Sequence, residues 1–289
     1  MTLSTRDLEE LASLAITAAV EAGEMIAEAR PLEVEHKAGG DSLASQVVTE
    51  IDRRSEDIIV DHLTPTLAVH EVGLLTEERN DDGSRLECDY FWCIDPLDGT
   101  LPFIEGRPGY AVSIALVARD GKPVIGVLYD PVSAATVHAI DGIGAFRNGE
   151  AWKRLPETEG EVLTVFADRS FSAHDAMDAL AQQRFRTSAD VRVGSGAVMN
   201  ALGVLDHAPA CYVKYPKASG GGSVWDFAAT ACVFAALGAV ATDIYGQPLG
   251  LNRAHSTFMH DRGVLFASDE TLAKQVRDGF SAGTSGASG

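Results

Sequence analysis

The ten residues Phe91-Trp92-Cys93-Ile94-Asp95-Pro96-Leu97-Asp98-Gly99-Thr100 constrain this chain more than any other stretch. An apolar run ends there in two carboxylates, a glycine and a hydroxyl. The run has the composition of a buried strand, and a proline directly after Asp95 predicts that the chain leaves the ladder and turns at that point. Both acids are then expected at a strand end. Pro102 and the run Phe103-Ile104-Glu105 predict a short helix from near Thr100. Its free backbone N–H groups, with Gly99 allowing close approach, would face an anion. The same residues read about equally well as an ordinary acidic turn.

Two residues separate Asp95 from Asp98, so the D-x-D-G-T spacing of phosphatases that form a phospho-aspartate is not matched. The alternative chemistry is a shared hard cation such as Mg²⁺, which takes carboxylate, carbonyl and water oxygens; the Leu97 carbonyl between the acids could then serve as a further ligand.

At 289 residues the chain can bury a large core, as one big domain or two ordinary ones. A formal net charge of -19 disfavours nucleic acid polymers and anionic membranes as partners, and an anionic substrate would need local cations. Cys88, Cys93, Cys211 and Cys232 show no C-x-x-C spacing, and the eight histidines no H-x-x-x-H spacing, which argues against zinc. No signal peptide or long apolar span is recognisable, so a reducing cytoplasm is the expected compartment.

From the N-terminus, Leu8, Leu11, Ala12, Ala15, Ala18, Ala19, Ala22, Met25, Ile26 and Ala29 recur at helical spacing, with Ser4 or Thr5 as cap. Leu32 to His36 reads as a short strand and residues 38–42 as a loop. A second amphipathic helix follows, with Thr49 as its cap and Asp52 in its first turn, where the helix dipole favours a carboxylate whatever its role. Val69 to Thr76 reads as a strand closing on Glu77 and Glu78, an adjacent pair that by itself reads as solvated surface. After the central stretch, Tyr110 to Val117 and Pro123 to Tyr129 read as strands, and Asn148-Gly149 marks a hairpin.

From about Leu155 strands and helices alternate, predicting a second lobe. Val162 to Ala167 is read as a strand and Ala173 to Gln183 as a helix capped by Ser172. Val191-Arg192-Val193-Gly194-Ser195-Gly196-Ala197 is a strand end and glycine turn opening another helix, which fits phosphate binding and tight packing about equally. The flexible loop Ser219 to Ser223 delivers Trp225-Asp226 to an Ala-rich helix that Gly238 ends, and Asp226 reads by itself as a cap. The tail Ser281 to Gly289 is Gly/Ser-rich and expected to be disordered.

Thr49 to Asp52, Glu77-Glu78, Asp95-Pro96-Leu97-Asp98-Gly99-Thr100 and Trp225-Asp226, in this order, resemble the inositol monophosphatase superfamily of Mg²⁺-dependent, lithium-sensitive phosphatases. The resemblance implies an α/β fold, a layered αβαβα sandwich. Residues 1–154 would form an α+β lobe and 155–280 an α/β lobe contributing Asp226, with 281–289 a tail. It further implies Glu77, Asp95, the Leu97 carbonyl, Asp98 and Asp226 as ligands of two or three Mg²⁺ ions. Glu77, Asp52 and Thr100 would be the catalytic residues around the attacking water. Asp98, Gly99, Thr100, Ser195 and Lys217 would contact substrate, and a homodimer is a family expectation. Five gathered carboxylates would repel one another and any phosphate unless divalent cations neutralise them. Thr76 in place of a glycine, Gly238-Ala239 in place of Gly-Gly and Leu101-Pro102 after Gly-Thr depart from the family pattern without removing a ligand.

The implied activity is hydrolysis of a small phosphorylated metabolite. Phe103 to Arg107 and Tyr215-Pro216-Lys217 look more like the 3'(2'),5'-bisphosphate nucleotidase branch, where the basic residue would hold a second phosphate. Inositol 1-phosphate and a histidinol phosphate-like compound are the alternatives, and a noncatalytic metal- or phosphate-binding regulator is the rival of a different class.

Overall fold

The computed structural model describes residues 2–29, 41–153, 162–169, 171 and 173–286. The first part of the chain forms α1 (Thr5–Glu28), α2 (Asp41–Val69), β1 (Val72–Thr76), α3 (Ser84–Glu87), β2 (Tyr90–Asp98) and α4 (Thr100–Ile104). A run of strands follows: β3 (Ala111–Ala118), β4 (Pro123–Asp130), β5 (Ala135–Ile140), β6 (Gly144–Arg147) and β7 (Glu150–Trp152). Then come β8 (Thr164–Ala167), α5 (His174–Phe185), β9 (Asp190–Val193), α6 (Ala197–Asp206) and β10 (Ala210–Lys214). The chain closes with α7 (Val224–Leu237), β11 (Val240–Thr242), β12 (Val264–Ala267) and α8 (Glu270–Gly286).

β1 to β7 make one sheet in sequence order, with β1 parallel to β2 and the rest an antiparallel meander. A second, five-stranded sheet has the order β11-β12-β10-β8-β9; β10, β8 and β9 are parallel, and β12 runs against β10 and β11.

Five layers result. α1 and α2 bury Leu11, Ala15, Ala18, Ile26, Ile59 and Leu63 against one face of the seven-stranded sheet. α6 and α7 fill the space between the two sheets, where Val198, Phe227, Ala229 and Phe234 pack with Phe91, Ala115, Tyr212 and Phe266. α5 and α8 cover the outer face of the five-stranded sheet through Met177, Ala181, Leu272 and Val276. This is the αβαβα sandwich expected above.

The sheet admits its helices closely. A Cβ on Gly23 of α1 would lie 2.1 Å from the Tyr129 ring, and one on Gly126 of β4 would lie 2.3 Å from the Ala229 carbonyl of α7. Ser4 caps α1: its hydroxyl accepts from the Asp7 N–H at 3.2 Å, and the Asp7 carboxylate accepts from the Ser4 N–H at 2.8 Å. Asn148 (φ 51°) and Gly149 (φ 80°) make the β6–β7 turn that the Asn-Gly pair predicts.

Several local expectations are corrected. α2 starts at Asp41, so Thr49 is not its cap and Asp52 lies in the helix interior, beyond the reach of an N-terminal dipole. α2 also runs on to Val69, and the following strand begins at Val72. The chain does not leave the ladder after Asp95: β2 continues to Asp98 through a register shift between those two acids. Pro96 fits because its missing N–H falls in this irregularity, where no ladder bond needs it. α8 carries helix to Gly286, through most of the segment expected to be disordered. The strand Leu32–His36, the loop residues 38–40, the lobe boundary at 154/155, the cap Ser172 and tail residues 287–289 lie outside the described residues.

Candidate active site

Strand ends of both sheets and a helix start converge on one cavity. β2 delivers Asp95 and Asp98, and β1, its parallel neighbour, is followed directly by Glu77. From the middle layer, α7 presents Asp226 in its first turn. Carboxylate oxygens of Asp95, Asp98 and Asp226 lie within 4.8 Å of one another.

Each acid is held by local structure. The Leu97 N–H donates to Asp95 Oδ1 at 3.1 Å, folding the β2 irregularity around that carboxylate. Asp98 accepts from the backbone N–H groups of Ala197 at 3.0 Å and Val198 at 2.8 Å, the open N-terminus of α6. Gly196 is needed there, since a Cβ would stand 2.3 Å from Asp98 Oδ2. Asp226 Oδ2 accepts from the Ser223 N–H at 3.1 Å in a capping box, so the cap reading and the site reading hold together. A Cβ on Gly222, at φ +86°, would meet the same oxygen at 2.3 Å.

Crowding like charges in a desolvated place favours their protonated forms. Burial, then the charges of Glu77, Asp98 and Asp226, hold Asp95 well above the usual carboxylate range. Burial and Asp226 push Asp98 up to about 8, against the two α6 N–H bonds. Burial also raises Asp226, opposed mainly by Lys214. Glu77 is exposed as a residue, but its carboxyl reaches Asp95; desolvation and Asp226 push it up to about 7. Asp52 is buried and pushed up to about 8 by burial and then by Glu78, Glu77 and Glu56. Glu56, buried beneath them, pairs with Arg79 Nε at 2.8 Å and accepts from the Glu78 N–H at 3.0 Å.

Above the acids opens a cavity of about 460 Å³. Asp98, Gly99, Thr100, Ser195, Gly196 and Asp226 line it, together with Asp168, Arg169 and Lys214. The structure thus brings together Asp95, Asp98 and Asp226, with Glu77 against Asp95 and Asp52 in the adjoining acidic patch. Gly99, Thr100 and Ser195 face the same cavity. Lys217 stands apart: it is exposed, lies by Gly220 and Gly221, and is not among the lining residues.

Sequence reasoning passed over Asp168, Arg169 and Lys214. The available signal was position. Asp168 and Arg169 follow β8, Gly194 follows β9 and Lys214 ends β10, so all stand at the carboxyl ends of three parallel strands, where open α/β sheets bind ligands.

A layered sandwich with an acid cluster at converging strand ends is the architecture of a phosphatase that works on small molecules. The chain belongs to the inositol monophosphatase family, whose model matches residues 7–280. It is 32% identical over 251 residues to inositol monophosphatase 2 of Solanum lycopersicum, covering 84% of this chain and 91% of that one. It is 28% identical over 219 residues to a fructose-1,6-bisphosphatase/inositol-1-monophosphatase of Thermotoga maritima, covering 76% and 79%. Among solved structures, inositol monophosphatase II of Staphylococcus aureus MSSA476 shares the fold with a TM-score of 0.72 at 22% identity, over 93% of this chain and 94% of that one.

Proposed function

We propose that this chain hydrolyses a small-molecule phosphomonoester with water, using Mg²⁺ held by Asp95, Asp98, Asp226 and Glu77. The observation that carries the reading is the carboxylate cluster of Asp95, Asp98 and Asp226, with oxygens within 4.8 Å of one another at a cavity large enough for a phosphorylated metabolite. The donor set fits the ion: hard anionic oxygens, desolvated and mutually repelling, are what a divalent cation stabilises. Bound there, Mg²⁺ would lower the pKa of a water and neutralise charge as it develops on the phosphate and the departing alkoxide.

The chain's own residues do the positioning. Asp98 is pinned by α6 and Asp226 by its capping box, so both carboxylates are preorganised. Asp52 and Thr100 are assigned to orient the attacking water, Asp52 from the acidic patch and Thr100 from the cavity wall. Gly99 and Ser195 line the space left for the phosphate.

For the substrate, the Solanum protein's name supports an inositol monophosphate, and the Thermotoga protein's name supports the 1-phosphate. The Thermotoga protein is named for a bisphosphate as well, and the cations in the cavity support a nucleotide 3'(2'),5'-bisphosphate. No described helix is long and apolar enough to cross a membrane; four free thiols support a cytoplasmic setting, and a homodimer is the family's expected state.

The test is phosphate release from inositol 1-phosphate, adenosine 3',5'-bisphosphate and histidinol phosphate, with and without Mg²⁺ and with added Li⁺. Mg²⁺-dependent, Li⁺-inhibited release from one of them supports the reading. Release from none, despite measured Mg²⁺ binding, overturns it in favour of a noncatalytic binder.

A further inference from the structure

The cavity is not lined by acids alone. Lys214, at the end of β10, has a side chain only 14% exposed, and its ammonium lies 3.1 Å from Asp168 Oδ2. The other oxygen of Asp168 accepts from the Tyr212 hydroxyl at 3.1 Å, which fixes the carboxylate. An ammonium has three N–H donors, and Asp168 accepts one of them. The Phe227 ring centroid lies 5.3 Å from Lys214 Nζ, so part of the ammonium's surroundings is apolar rather than aqueous.

Arg169 adds a second cation to the lining. It shares Glu105 Oε2 with Arg107, whose Nε donates to that oxygen at 2.9 Å. Arg107 in turn lies against the turn that lines the cavity: a Cβ on Gly194, at φ +111°, would stand 3.3 Å from its Nη1. One carboxylate between two guanidinium groups leaves a positive charge unmatched, and this pair holds Glu105 well below its usual range, at about 2.

Counting by role, Asp98 and Asp226 belong to the cation cluster at the floor. What remains of the charged lining is Asp168 against Lys214 and Arg169, a surplus of one positive charge on a chain of net charge -19, and the Glu105–Arg107 pair behind Arg169 cancels within itself. Hydroxyl groups of a polyol offer no charge to match that surplus. A second anionic group does, through charge-assisted hydrogen bonds in a partly desolvated cavity.

We propose that Arg169 and Lys214 form a second anion subsite, selecting substrates that carry another phosphate or a carboxylate besides the phosphate to be hydrolysed. This rests on the hydrolytic reading above and assigns it a substrate class. It also moves the basic contact from Lys217, the residue that the sequence pattern suggests, to the cavity itself.

The experiment compares ligand pairs that differ by one anionic group: adenosine 3',5'-bisphosphate against adenosine 3'-monophosphate, and 3-phosphoglycerate against glycerol 3-phosphate. The full chain and its Arg169→Gln and Lys214→Gln variants are measured twice, by kcat/KM in Mg²⁺ and by calorimetric affinity in Ca²⁺. The wild type is expected to favour the dianionic-site member of at least one pair by tenfold or more. Each variant should cut that ratio by about tenfold, the loss of one charge-assisted hydrogen bond; the pair affected tells phosphate from carboxylate. Equal losses for both members of each pair, or no wild-type preference, overturn the subsite while leaving hydrolysis standing. If nothing is hydrolysed, the hydrolytic reading fails and the affinity ratios still decide the subsite. Arg169 is half-exposed, so its variant keeps the test decisive even if Lys214→Gln does not fold.

Discussion

Val198 donates its backbone N–H to the Asp98 carboxylate at 2.8 Å across 100 residues of sequence, so an acid of the seven-stranded sheet closes the N-terminus of a helix in the middle layer. Ala197 adds a second bond at 3.0 Å. The orientation of Asp98 toward the other acids is thereby tied to the seat of α6, and the clearance at Gly196 sets that seat.

Gly196→Ala should accordingly disable the site from outside it. The new methyl would fall 2.3 Å from Asp98 Oδ2 and 2.7 Å from the Gly99 Cα, so one of them must move. Overpacking of this kind costs about 1–3 kcal/mol, and we expect at least a tenfold rise in the Mg²⁺ concentration for half-maximal activity. A Mg²⁺ titration of phosphate release reads the effect. An unchanged titration would show that the α6 seat does not control Asp98.

Asp95→Asn keeps the shape of the buried side chain and removes its charge. Turnover should fall by orders of magnitude, about 10²-fold or more, with the fold intact by circular dichroism. Near-normal rates at saturating Mg²⁺ would remove Asp95 from the cation cluster.

Stability and pH are linked through the same acids. Asp52 and Asp98 are pushed up to about 8 and Glu77 to about 7 in the folded, metal-free chain. Unfolded carboxyls lose their protons near pH 4. Between these limits the folded state holds more protons, so the contribution of these groups to stability falls as pH rises from about 4 to 8. Mg²⁺ relieves the repulsion and displaces the protons. The rise in Tm on replacing EDTA with Mg²⁺ should be larger at pH 8 than at pH 6. Equal rises at both would sever the link.

Gly23→Ala serves as the contrasting case. Its Cβ would meet the buried Tyr129 ring at 2.1 Å, on the far side of the seven-stranded sheet from α6 and α7. A loss of about 1–3 kcal/mol is expected in denaturant unfolding, with kcat/KM unchanged at a temperature where the chain stays folded. A matching loss in kcat/KM would mean that α1 packing reaches the site.

The acid constellation was legible in the sequence because each motif is local and carries its chemistry at fixed spacing, as in Asp95-Pro96-Leu97-Asp98. Many of the helices and strands followed from periodicity, and their layering from the family resemblance that those motifs support. What escaped depends on three-dimensional order. Lys214, Asp168 and Arg169 join the predicted Ser195 only because β10, β8 and β9 lie parallel and in that order, which no local spacing encodes. The position of Asp52 was misread because the polar residues of α2 before Thr49 hide the helix start at Asp41. The turn expected at Pro96 gave way to a strand irregularity, since a proline is admitted wherever the ladder skips an N–H.

All four cysteines of the chain are free, so no covalent bridge ties its distant segments together. Asp95 and Asp226 nonetheless meet, one from each half of the sequence, and an ion held between them would act as a reversible cross-link. Closing so long a loop is entropically expensive, though the cost grows only slowly with length. A ligand that binds the closed form alone shifts the balance toward it in proportion to its concentration. The surrounding Mg²⁺ concentration would then set how tightly the two halves of the molecule stay together, apart from anything it does to a phosphate ester.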